Sequence, residues 1–487
     1  MQKLPMAIAL VVCLSACGSS NSVSDLFWGK KGPDKFTQLR DIVESDLEES
    51  SAVAVSVAIY QDGEVVFAEA FGEKIEGSGV LATPDTLFQM GSTTKMFTGV
   101  AALLLMEQGL LKIDDNLVDV LPDIQYPGNE ASNWEEVNIH HLLTHQSGFS
   151  DTYIGSGSTD QLSDYMEIGY PLNNLQMNPP GLFFNYSNPS WSYLGAVVEN
   201  LSEQTYADYM LERVFQPLGM ARSSIGRGIA ISDGDYALGF QNIEGSGQYL
   251  RDINQIPLNT AAEPAGSETW STPTDLLKMA EFLLEGKSEF LSDERRLQIT
   301  TPHVSQEFAG LPMSYGYGIF VDEGFLYNDQ WYPERIWHHA GNTPAYTSMF
   351  WVLPDQDIAV SIMSSGDFTN FDDTMVAALE SVTDLAEPLS IPYGNIDTSG
   401  FDKHEGIYMT GDLLVTVSQA GDNLEISVPA LDANNIPYEP TLYAIGESTF
   451  VAVIENEEVF FTFFPAVEGG ESVYMRNRNL VAIKLGY

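Results

Sequence analysis

Ser92 and Lys95 stand three residues apart in Gly91-Ser92-Thr93-Thr94-Lys95. A serine hydroxyl attacks an acyl carbon only when a base takes its proton. A lysine one turn away on the same helical face is such a base, provided burial or nearby positive charge lowers its pKa. By itself this short pattern also describes a serine near a helix start followed by an exposed lysine. Two further stations lie downstream: Tyr186-Ser187-Asn188, and His339-Ala340-Gly341-Asn342. Tyr186 follows Ser92 by 94 residues and His339 follows Tyr186 by 153. Tyr186 and Asn188 are two apart, so in an extended segment their side chains point the same way.

These residues need elements to hold them. Thr86 to Met90 is nearly free of charge, and Phe97, Ala101, Leu104 and Leu105 then recur at helical steps toward Gly109, placed as a C-cap. Ser92 therefore falls at a helix N-terminus, whose free N–H groups favour an oxyanion. Ahead of it, Phe36 to Leu47 has helical spacing, and Ala52–Tyr60 and Glu64–Gly72 read as a hairpin turning at Asp62-Gly63. Asn138 to Gly148 reads as a short helix running into a turn, with His141 and His145 spaced to share a face. Leu142 stands where a zinc motif needs Glu and a third ligand is missing, so no metal is expected. Pro179-Pro180-Gly181 sets a fixed loop before a helix starting near Trp191, and Thr272 to Leu284 is another helix. Met349–Leu353 and Ile358–Met363 are strands joined by Pro354-Asp355.

Residues 386–396 read as a linker. Beyond it the apolar pattern has period two, at Leu413–Ser418, Leu424–Val428, Phe450–Ile454, Val459–Phe464, Val473–Arg476 and Leu480–Leu485. Residues 397–487 thus form a small antiparallel barrel or sandwich.

The three stations in this order resemble the serine β-lactamase and penicillin-binding superfamily, on its class C β-lactamase, D-aminopeptidase and esterase branch. Supporting matches are His141 to Gly148, Pro180-Gly181, Tyr315-Gly316-Tyr317-Gly318 and Pro354-Asp355. The resemblance covers residues 35–385 and implies an α/β (α+β) fold, in which an antiparallel sheet with helices is paired with an all-helical lobe. The final segment resembles the lipocalin-like domain appended to some members; a ligand pocket or a structural spacer are both open readings of it. By resemblance Ser92 is the nucleophile, Lys95 and Tyr186 share the proton work, and Asn188 holds Lys95 or a substrate amide. The backbone N–H groups of Ser92 and Asn342 would bind the oxyanion. His339, on the same strand face as Gly341, stands where the family often has lysine. A histidine is mostly neutral at pH 7, which favours uncharged esters over carboxylate-ended substrates. The implied function is a serine acyl hydrolase forming an acyl-enzyme on esters, D-amino acid amides or peptides. The alternatives are a penicillin-binding or sensor protein that acylates slowly, and a true β-lactamase. No cofactor is implied, and the partner is a small-molecule or short-peptide acyl substrate.

The chain has 21 basic and 68 acidic residues and a formal charge of −47, which repels phosphate backbones and argues against nucleic acid. Lys3 and the apolar run Met6 to Leu14 end in Leu14-Ser15-Ala16-Cys17. This resembles a bacterial lipoprotein signal over residues 1–16, with Cys17 lipidated, a tether over 17–34 and Gly18 favouring the outer membrane, facing the periplasm. Cys13 would leave with the signal, so thiol catalysis and an internal disulfide are excluded from the mature chain.

Overall fold

The computed structural model describes residues 34–123, 133–151, 162, 176–243, 246–256, 260–390, 396–478 and 480–487. The expected signal, Cys17 and nearly all of the tether lie outside the described residues, as do positions 391–395 of the expected linker.

The hairpin expected at Asp62-Gly63 is formed by β1 (Ala54–Gln61) and β2 (Glu64–Gly72). Asp62 and Gly63 have φ of 51° and 86°, the left-handed pair that a tight hairpin turn requires. Six more strands complete an antiparallel sheet: β3 (Val304–Ser305), β4 (Met313–Tyr315), β5 (Phe320–Asp322), β6 (Ile336–Thr343), β7 (Tyr346–Leu353) and β8 (Ile358–Ser364). The order across it is β2-β1-β8-β7-β6-β5-β4-β3. Hairpin connections β6–β7 and β7–β8 set the register, so that Gly341 lies opposite Ser348.

Both faces of the sheet are covered. Val55, Val57 and Ile59 of β1 pack with Leu39 and Val43 of α1 (Thr37–Glu49) and with Met375 and Leu379 near the chain's 380 mark. Ala54, Ala58 and Tyr60 face the other core, with α2 (Thr94–Glu107). A strand buried on both faces has no reason to alternate, which is why Ala52–Tyr60 reads as a continuous apolar run. Helix α2 is buried from Thr94 to Met106, and its apolar residues surround it. It is the axis of the larger core, and each of its Leu, Phe and Met side chains contributes roughly 1.5–3 kcal/mol by burial. Helices predominate between α2 and residue 270, among them α3 (Asn188–Ser202).

The final segment is a closed eight-stranded barrel: β9 (Gly406–Thr410), β10 (Leu413–Ala420), β11 (Asn423–Ser427), β12 (Thr441–Ala444), β13 (Thr449–Ile454), β14 (Glu457–Pro465), β15 (Ser472–Asn477) and β16 (Leu480–Lys484). Pairing of β9 with β16 closes it and leaves no free edge. Strands β9 and β12 escape the period-two reading because each buries a single side chain, Tyr408 and Leu442, too few to show an alternation.

Candidate active site

Gly91–Thr93 is a single tight turn that leads straight into α2, so Ser92 and Lys95 rise from adjacent turns at its start. A small sheet fixes the approach to this turn: Phe88–Gln89 pairs with Thr269–Ser271, which pairs with Ser224–Ile225. Just ahead of Thr269–Ser271, Gly266 lies against the Gly91–Ser92 backbone, and the Ala265 carbonyl reaches Lys95. Gly266 has φ of 129°, and a Cβ there would lie 1.9 Å from the Gly91 carbonyl oxygen and 2.8 Å from Ser92 N. From the sheet side Gly341 makes the same close approach, where a Cβ would meet Met90 O at 2.1 Å and Ser92 N at 2.6 Å. Only glycine fits at either place. The segment through Glu268 is held by a buried ion pair, with Arg227 Nη2 2.9 Å from Glu268 Oε1.

The Lys95 ammonium position is buried and has three oxygen neighbours: Ser92 Oγ at 2.8 Å, Asn188 Oδ1 at 2.7 Å and the Ala265 carbonyl at 2.9 Å. Burial pushes the Lys95 pKa well below its usual range; the Asp151 carboxylate opposes this and the Arg478 charge assists it. A neutral amine has two N–H groups and one lone pair. Two of the neighbours are carbonyl oxygens that can only accept, so they take the two hydrogens. The lone pair then faces the Ser92 hydroxyl, which donates to it.

Tyr186 is buried, with its ring centroid 5.0 Å from Lys95 Nζ. Burial raises its phenol pKa, and the nearby Arg478 charge and the Ser92 hydroxyl pull it down. His145 stacks on the same ring at 4.2 Å and accepts the Ser187 N–H at 2.9 Å through Nδ1. Tyr186 and Asn188 are not on one extended face as expected. Asn188 is the first residue of α3, with Ser187 as N-cap and Pro189 in the first turn. They converge on Lys95 all the same. His141 and His145 do not share a helix face either: the helix stops at Leu143, and His145 turns away with φ of 57°.

His339 is buried between Tyr315 and Tyr186. Its Nδ1 lies 2.6 Å from the Ala340 carbonyl, which can only accept, so Nδ1 carries the hydrogen. Nε2 then accepts from the Tyr315 hydroxyl at 3.3 Å. Burial, with the Lys95 charge next, pushes the His339 pKa well below its ordinary value. The side chain is therefore neutral, and its one N–H is already engaged rather than free to donate toward an oxyanion. His338, its neighbour on the other face, pairs with buried Asp322 at 2.8 Å. Asn342 is exposed, its amide oxygen accepting from Thr347 at 2.9 Å, and its backbone N would lie 2.6 Å from a Cβ placed on Gly91. The backbone nitrogens of Ser92 and Asn342 thus both lie at the close contact between Gly91 and Gly341. Among the described residues no group of three or more His, Cys, Asp or Glu is placed to hold a metal ion.

Sequence reasoning missed Asp151 and Arg478. Asp151 accepts the Asn188 N–H at 2.8 Å through one oxygen and pairs with Arg478 Nε at 3.0 Å through the other. Arg478 lies in the turn between β15 and β16, with its guanidinium 4.3 Å from the Tyr186 ring centroid. A cleft of about 790 Å³ between the barrel and the larger domain, lined by Tyr327, Asp373, Glu439 and Phe460, contains none of these residues.

A family model described as Beta-lactamase matches residues 39–384. Protein flp of Staphylococcus aureus (strain MRSA252) is 25% identical over 342 residues, covering 68% of this chain and 63% of that protein. The chain thus spans less than two thirds of that relative's length. Penicillin-binding protein 4* of Bacillus subtilis (strain 168) is 25% identical over 432 residues, covering 84% of this chain and 89% of that one. The crystal structure of SurE superposes with a TM-score of 0.71 at 19% identity, over 93% of this chain and 99% of that one, a likeness of fold. With its serine, lysine and tyrosine gathered at the start of one buried helix and the family match running across most of its length, the chain belongs to the beta-lactamase family, and so to the serine acyl-transferase and hydrolase superfamily.

Proposed function

We propose that the protein is a serine acyl hydrolase that works through an acyl-enzyme on Ser92, with uncharged esters and amides as its preferred substrates. One observation carries this reading: the three oxygen neighbours of buried Lys95, two of them obligate acceptors, which leave its lone pair to the Ser92 hydroxyl. Lys95 takes the Ser92 proton as Oγ attacks the acyl carbon. Tyr186, which meets the Ser92 hydroxyl, relays a proton to the leaving group. The oxyanion is met by the Ser92 and Asn342 N–H groups at the helix start. Water then attacks the acyl-enzyme with the same groups in reversed roles. The preference for uncharged substrates rests on His339, which is neutral and offers no fixed positive charge at the third station.

The test uses the full chain with a fluorophosphonate probe, a short-chain chromogenic ester and a chromogenic β-lactam. The parent protein should be labelled and should turn over the ester faster than the β-lactam. Ser92→Ala should lose labelling and drop turnover by several orders of magnitude. Full labelling of Ser92→Ala would place the nucleophile elsewhere. Labelling without turnover of any substrate would favour a slow acylating binder instead.

A further inference from the structure

We propose that the barrel is a clamp on the Tyr186 loop, and that Arg478 is a positioning residue for Tyr186 and, through Asp151 and Asn188, for Lys95. Three successive contacts tie the barrel to the loop. Phe183, which is buried, stacks on Phe464 of β14 with ring centroids 4.3 Å apart and planes at 20°. The Phe184 carbonyl accepts from the Arg476 guanidinium of β15, whose other nitrogen donates to Gln306 O at 3.1 Å. Then Arg478 covers the Tyr186 ring itself at 4.3 Å. Phe183 and Phe464 belong to a separate small core with Val473, Tyr474 and Val481, so the loop is built into the barrel rather than resting on it.

The chain of contacts reaches the nucleophile in four links. Arg478 Nε holds Asp151 Oδ2 at 3.0 Å; Asp151 Oδ1 accepts the Asn188 N–H at 2.8 Å; Asn188 Oδ1 accepts from Lys95 at 2.7 Å; Lys95 meets Ser92 Oγ at 2.8 Å. The Asp151 side chain is only 5% exposed, while that of Arg478 is 58% exposed. A carboxylate so buried must be paired, and its partner comes from the other domain. Because Asp151 neutralises Arg478, the arginine serves the site as a fixed brace rather than as a spare cation for substrate.

This inference rests on the reading of Ser92, Lys95 and Tyr186 given above, and the two fail differently. Among the described residues, the charged and titratable groups facing the Lys95–Tyr186 pair are His145, His339, Tyr315, Asp151 and Arg478. Labelling slows as pH falls because the base becomes protonated. Removing a positive charge beside it makes protonation easier, and removing a negative charge makes it harder. Fluorophosphonate labelling of the full chain is therefore followed against pH in Arg478→Gln, Arg478→Lys and Asp151→Asn, with Ser92→Ala as the control. Arg478→Gln should slow labelling at least about tenfold and move the acid limb up by about one pH unit. Asp151→Asn should move the limb down, and Arg478→Lys should restore the parent limb with part of the rate. Parent-like labelling in Arg478→Gln would overturn the proposal. So would a uniform loss of rate with the limb unmoved, or a limb moving the same way in Arg478→Gln and Asp151→Asn. Labelling that survives in Ser92→Ala would instead overturn the assignment of the nucleophile.

Discussion

Gly341→Ala tests how tightly the nucleophile is seated. The new methyl would lie 2.1 Å from Met90 O, 2.6 Å from Ser92 N and 2.7 Å from Ser348 Oγ. Real Cβ contacts do not fall below 3.0 Å, so β6 and the Met90 carbonyl must part by about 0.9 Å. Neither side is free to give. Met90 O accepts from Thr93 Oγ1 at 2.8 Å and from Ser348 Oγ, and Met90 N donates to Thr269 O at 2.8 Å. On the other side β6 is paired along its length with β7. Overpacking of this kind costs about 1–3 kcal/mol of stability. A displacement near 1 Å at Ser92 N also pulls the oxyanion donor out of line, at a cost of about a hundredfold in rate. The second-order rate of fluorophosphonate labelling and the melting temperature read the two effects separately. A Gly341→Ala protein that labels and melts like its parent would refute the claim that β6 seats the nucleophile.

Two other substitutions bear on the electrostatics. His339→Gln should leave labelling within about tenfold and keep the acid limb in place, because His339 is neutral and its nitrogens serve Ala340 and Tyr315; loss of the limb with Ser92 still labelled would make His339 a proton carrier. Glu263 has its pKa raised from 4.5 to about 8, by burial first and then by the Glu268 and Glu199 carboxylates. Its folded value lies above its unfolded one, so the folded state binds the extra proton and stability falls as pH rises from about 4.5 to about 8. Glu263→Gln should flatten that slope and raise the melting temperature at pH 8, and an unchanged slope in melts across this range would show that Glu263 ionises normally.

What could be read in advance was what the chain encodes locally. Ser92 and Lys95 are one turn apart, so a helical pattern was enough to bring them together, and the hairpin at Asp62-Gly63 carries its turn in its own residues. The barrel was legible as a period-two pattern, though Gly406–Thr410 and Thr441–Ala444, with one buried side chain each, did not show it. Asn188 was misplaced because Ser187-Asn188-Pro189 follows a loop rich in proline; Pro189 marks a helix start, and it reads as one more loop residue until the N-cap is seen. The engaged N–H of His339 was hidden too, since it depends on the Ala340 carbonyl and on Tyr315 rather than on the residue type. Arg478 and Asp151 had no local signal at all: 327 residues separate them, one in a barrel turn and the other after a short turn, and only the packing of two domains joins them.

The closure of the barrel by its first and last strands has a consequence for the order of events during synthesis. Strand β9 pairs with β10 at once but finds its second partner only when β16 has been made, so every earlier intermediate carries an open sheet with an unpaired edge. The larger domain, with Ser92, Lys95 and Tyr186 already in place along the chain, is complete long before that. The grip on the Tyr186 loop comes from the stretch just ahead of β16, so the nascent protein holds its nucleophile and its base for most of its growth without the brace that the finished molecule has. Domains tend to fold in the order in which they are synthesised. The fold therefore leaves the site's support to a late-made stretch, and a chain cut short ahead of Phe464 keeps the reactive pair but loses what holds it steady.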